Sequence, residues 1–117
     1  MSWDIFIQDI PDDITCVDDI PDDFTPSPIG KRKDLIGKIQ KDIPEANFSC
    51  SNWGNINELK YSIEINIDDN EECYSIALHI RGDEHEATAM VRRILLSLGL
   101  KAFDSKSSTG LFKTETE

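Results

Sequence analysis

The stretch from residue 59 to residue 80 constrains the fold of this chain more than any other. Leu59, Tyr61, Ile63, Ile65 and Ile67 alternate with Lys60, Ser62, Glu64 and Asn66. After the polar run Asp68-Asp69-Asn70-Glu71, the residues Tyr74, Ile76, Leu78 and Ile80 alternate with Ser75, Ala77, His79 and Arg81. Successive side chains on a strand point to opposite faces, so this period of two describes a sheet with one face buried and one open. The spacing predicts a β-hairpin packed by the odd residues of its first strand and the even residues of its second. Glu64, His79 and Arg81 then stand on the open face.

Two stretches of helical spacing can cover the buried face. Between Lys31 and Asp42, Leu35, Ile36 and Ile39 share one side, with Ile43 following and Pro44 as the stop. Between Glu84 and Leu98, Ala87, Met90, Val91, Ile94, Leu95 and Leu98 form an apolar stripe. Asp83 is placed as its N-cap, Glu86 completes a capping box, and Gly99 follows as the terminating residue. Trp3, Ile5 and Ile7 alternate in an opening strand, where Phe6 gives the other face some apolar character, and Ala102-Phe103-Asp104 reads as a short last one. The acidic, proline-containing connection after Gln8 reads as an ordered loop pinned by Ile10, Ile14, Val17, Ile20 and Phe24. Residues 45–58 read as irregular, with Phe48 and Trp53 as anchors and Gly54 as a turn.

The order β-α-β-β-α-β predicts an α+β two-layer sandwich. It is either ferredoxin-like, with right-handed crossovers, or a three-stranded antiparallel sheet with two helices on one face and an unpaired C-terminus. The chain of 117 residues is the size of one domain and needs neither disulfide nor metal to bury a core. A single domain is expected over 1–112, followed by a disordered tail, 113–117.

Charge narrows the partners. The net charge is −11, and residues 1–30 hold Asp4, Asp9, Asp12, Asp13, Asp18, Asp19, Asp22 and Asp23 with no Lys or Arg. Such a surface repels phosphate backbones, so nucleic acid is not an expected partner, whereas a basic protein is. No apolar run reaches the roughly 20 residues that span a bilayer, and Asp4 interrupts any signal-peptide core, so neither membrane nor export is expected. Cys16, Cys50 and Cys73 are odd in number and lack CxxC spacing, which predicts reduced thiols in a cytoplasm.

Candidate chemistry is sparse. Glu64, His79 and Arg81 could serve as an acid, a proton shuttle and an anion clamp. A solvated sheet face collects the same residue types, which is the simpler account. Asp12, Asp13, Asp22 and Asp23 concentrate negative charge that would steer a basic partner, but they lack the spacing and glycine of a calcium loop. His79 and His85 lack zinc-ligand spacing. Lys31-Arg32-Lys33, at a helix start where cations are disfavoured, reads as an offset to the acidic loop. No nucleotide-binding or hydrolase motif is present, and no cofactor or metal is expected.

The opening Met1-Ser2-Trp3-Asp4, then Ile20-Pro21-Asp22-Asp23-Phe24, Trp53-Gly54, Ser62-Ile63-Glu64-Ile65-Asn66, His79-Ile80-Arg81-Gly82 and Leu98-Gly99-Leu100 resemble a group of small bacterial proteins that carry no assigned activity. The resemblance spans nearly the whole chain and implies a bacterial, free-standing protein without implying a chemistry. In size and acidity the chain is also similar in type to toxin-immunity proteins. The expectation is a non-enzymatic acidic protein-binding module, in its specific form an immunity-type inhibitor of a basic partner. The alternatives are a small enzyme or ligand-binding domain using Glu64, His79 and Arg81, and a homodimer formed through the sheet.

Overall fold

The computed structural model describes residues 2–11, 14–48, 53–67 and 70–112. The alternating segment forms two antiparallel strands, β4 (Tyr61–Ile67) and β6 (Ser75–Gly82), numbered by their place in the chain. Ile63, Ile65 and Ile67 from one and Ile76, Leu78 and Ile80 from the other are buried, with Ile63 opposite Ile80 and Ile65 opposite Leu78. The first apolar position of each predicted strand fails. Leu59 is fully exposed because it lies in the turn before β4, which the Glu58 N–H closes onto the Tyr61 carbonyl. Tyr74 is exposed because Cys73 takes the inward place just before it. Cys73 belongs to a separate short ladder, β5 (Glu72–Cys73) against β2 (Gly30–Lys31), and the alternation restarts at Ser75.

The sheet extends beyond the hairpin on both sides. β1 (Ser2–Gln8) pairs with β6, and β7 (Lys101–Asp104) pairs with β1. β3 (Trp53–Asn57) pairs with β4, giving the order β3-β4-β6-β1-β7 with every neighbouring pair antiparallel. The molecule is thus α+β with a five-stranded antiparallel sheet, not a three-stranded one. The C-terminal segment pairs, and residues 53–57, expected to be irregular, are a strand. Their period of two is nearly silent because only Ile56 and Gly54 face inward. Gly54 carries no side chain there because the Phe48 ring fills the space, 2.5 Å from where a Cβ would stand.

Helices α1 (Arg32–Asp42) and α2 (Glu84–Leu98) contribute to one core with the inward sheet face. The Asp83 carboxylate accepts the Glu86 N–H at 3.1 Å, as an N-cap does. Gly99 ends α2 in the left-handed conformation, with φ of 67°. α1 buries only Leu35 and Ile39 within its length, with Ile43 just past its end. It is tied to α2 by polar contacts as well. Arg93 donates to the Asp42 carbonyl at 2.9 Å and to Glu45 at 3.3 Å, and Ser97 donates to the Lys38 carbonyl at 3.0 Å. Among the described residues, no helix is long and apolar enough to cross a membrane.

The acidic connection is held mainly at two points. Ile10 is buried, while Ile14, Val17, Ile20 and Phe24 are only half-buried. The Val17 N–H reaches the Thr109 carbonyl at 2.9 Å, joining this loop to the turn after β7. The Trp3 indole donates to the buried Asp104 carboxylate at 2.7 Å, linking β1 to β7. The expected tail, 113–117, lies outside the described residues, as does Cys50.

Candidate functional site

Burial of Ile5, Ile7, Ile56, Ile63, Ile65, Leu78 and Ile80 turns the intervening residues to the opposite sheet face. The register sets these residues in rows across the strands. Asn55, Glu64, His79 and Asp4 form one row over β3, β4, β6 and β1. On one side of it lie Asn57, Ser62 and Arg81, and on the other Trp53, Asn66, Ala77, Phe6 and Phe103. Directly opposed Cβ atoms in an antiparallel sheet are about 5 Å apart, so each row is a line of side-chain contacts.

Hydrogen bonds fix several of these groups. Asp4 Oδ1 and His79 Nδ1 lie 2.7 Å apart. A carboxylate accepts only, so Nδ1 carries the proton and Nε2 is left for another partner. Asn66 donates to Glu64 Oε2 at 2.9 Å, and Asn57 donates to Asn55 Oδ1 at 3.1 Å. Asp4, Trp53, Asn55, Asn57, Ser62, Glu64, His79 and Arg81 line a cleft of about 550 Å³, with Asn66 behind Glu64. Arg81 makes no ion pair among the described residues, although it stands diagonally across from Glu64. The carboxylates are held instead by His79 and Asn66, which leaves the guanidinium available.

The cleft brings Glu64, His79 and Arg81 together. The alternation in the sequence also sets Ser62 and Asn66 on this face but gives no place on it to β3. Trp53, expected as a core anchor, is 37% exposed at the cleft wall, and only Phe48 packs against the core. The available signal was the spacing of Trp53, Asn55 and Asn57 around Ile56, which is strand-like once Gly54 is allowed to be an inward position.

The acidic loop is arranged differently. Asp22 and Asp23 are exposed in the turn after Pro21, and Asp12 and Asp13 lie outside the described residues. Asp9 accepts the Ser27 N–H at 2.9 Å, and Asp19 accepts from Thr15, so these two carboxylates shape the loop. Among the described residues, no three His, Cys, Asp or Glu side chains converge as a metal would require. Lys31 pairs with Glu72 in the β2–β5 ladder, and the Arg32 N–H donates to the carbonyl of Glu71, just before β5, at 2.9 Å.

Comparison with family models, with curated proteins and with solved structures finds no match for this chain.

Proposed function

We propose that this chain is a non-enzymatic, acidic protein-binding module that seats a basic partner on the open face of its sheet, around Glu64, His79 and Arg81. The observation that carries this reading is the cleft of about 550 Å³ on a face turned away from both helices, walled by an exposed tryptophan and by hydrogen-bonded polar side chains. An exposed Trp beside an Arg and oriented polar groups is the residue set on which binding energy at interfaces concentrates. The net charge of −11 would attract a basic protein from a distance and raise its rate of encounter. An immunity-type inhibitor is the specific form we favour, working in the cytoplasm with its cysteines reduced. For the fold we propose a ferredoxin-like sandwich with β3 added beside β4, supported by the order β4-β6-β1-β7.

A second reading draws on the Asp4–His79 pair. A carboxylate that orients an imidazole through Nδ1 leaves Nε2 as a base, and Arg81 would clamp an anionic substrate. The two readings separate on His79→Gln, which should abolish turnover in an enzyme and only weaken a binder.

The test uses the partner recovered from the source cells and then purified. Combined Trp53→Ala, Glu64→Gln and Arg81→Ala should weaken affinity at least about a hundredfold, chiefly through faster dissociation. Asp22→Asn with Asp23→Asn should slow association only severalfold, and mainly at low ionic strength, because exposed charges are screened beyond about 8 Å at physiological salt. The reverse pattern of sensitivity would remove the open face from the account.

A further inference from the structure

We infer that the end of the cleft walled by Trp53 and Glu64, with Asn66 holding the carboxylate from beside it, is a receptor for one cationic side chain, a guanidinium or ammonium group, of the partner. The inference rests on the open-face reading and names the chemistry that this face recognises. Trp53 pairs directly with Asn66, and Glu64 stands diagonal to Trp53 across β3 and β4. Diagonal neighbours have Cβ atoms about 7 Å apart, within reach of an indole and a carboxylate that close on the same ligand atom. Asn66 holds Glu64 Oε2 at 2.9 Å, so the carboxylate is already oriented and its other oxygen can accept from a ligand. Trp53 is 37% exposed. An aromatic face beside a fixed carboxylate attracts a cation twice, through the ring quadrupole and through a charge-assisted hydrogen bond.

Arg81 lies in the row on the far side of Glu64 from Trp53. It can therefore meet an acidic group of the partner without standing over the cation. Charge complementarity selects the occupant: a chain of net charge −11 draws in positively charged surfaces, and at this end of the cleft a cation is met by both an acid and an aromatic ring.

The experiment is a titration of the full chain, followed by two-dimensional ¹H–¹⁵N NMR, with the capped tripeptide acetyl-Gly-Arg-Gly-amide. The control is the same peptide with uncharged citrulline for arginine. The arginine peptide should give saturable shifts of the Trp53 indole N–H and the Asn66 side-chain amide. The Trp3 indole, bonded to Asp104 in the interior, should stay still. Citrulline should bind at least about tenfold more weakly, and Glu64→Gln and Trp53→Leu should each weaken arginine at least about fivefold while the remaining spectrum is preserved. Equal binding of citrulline, shifts centred on the acidic loop, or indifference to Glu64→Gln would overturn the inference. If the purified partner still depends on the open face while the peptide behaves in one of those ways, the cation site falls and the proposed function stands.

Discussion

Ile76→Ala is expected to destabilise the protein by about 2–5 kcal/mol, whereas Leu59→Ala should change stability by no more than about 0.5 kcal/mol. Both residues are large apolar side chains at inward positions of the predicted hairpin alternation. Ile76 is fully buried between β1 and β4, opposite Ile7 and Ile67. Truncation there removes apolar contact and leaves a cavity that the close-packed interior cannot fill. Leu59 is 100% exposed, so its truncation removes no core contact. A domain of this size is stable by roughly 5–15 kcal/mol, so the first change would consume a large share of the total. Urea unfolding should show a clearly lowered midpoint for Ile76→Ala at an unchanged slope, and an unshifted curve for Leu59→Ala. Equal effects would mean that the hairpin register is wrong.

Gly82→Ala is expected to cost about 3 kcal/mol or more, and Gly99→Ala only about 1 kcal/mol. Both glycines have positive φ, 99° and 67°, where a side chain adds strain. They differ in what surrounds them. A Cβ on Gly82 would stand 2.4 Å from the Lys60 carbonyl oxygen and 2.8 Å from the Tyr61 Cα, both backbone atoms of the neighbouring strand entry. That carbonyl also accepts the Asp83 N–H at 2.8 Å, so it cannot retreat without loosening the entry to α2. A Cβ on Gly99 meets nothing within 4 Å, which leaves the backbone term alone. Measured side by side in urea, the two substitutions should differ by about 2 kcal/mol. A smaller penalty at Gly82 than at Gly99 would contradict the close approach of the β3–β4 turn to the end of β6.

The elements legible in the sequence are those whose apolar positions repeat without interruption. The stripe from Ala87 to Leu98, bounded by Asp83 and Gly99, marked α2 because cap, period and stop agree. The alternation in β4 and β6 marked the open face, and with it Glu64, His79 and Arg81. β3 was hidden because packing replaced one of its inward side chains with the ring of Phe48 over Gly54, a tertiary event that leaves no periodic trace. Trp53 was then misread, since a large aromatic ring beside a glycine suggests a core anchor when no strand is known to carry it outward. The Asp4–His79 pair was illegible for a different reason. The two residues are 75 positions apart and meet only because β1 inserts between β6 and β7 in a register that sequence alone does not specify. Leu59 shows the opposite error, in which the alternation continues past the end of the strand into a turn.

Site-specific photocrosslinking shows directly whether the partner sits on the open sheet face. A benzoylphenylalanine placed at Asn57, on the cleft wall, is compared with one at Leu96, on the exposed side of α2, and one at Asp23, in the acidic loop. Each variant is irradiated with the purified partner, and adducts are mapped by mass spectrometry. A partner on the open face gives a strong adduct from position 57 and only background from positions 96 and 23. A strong adduct from position 23 or 96, with none from 57, would contradict that placement.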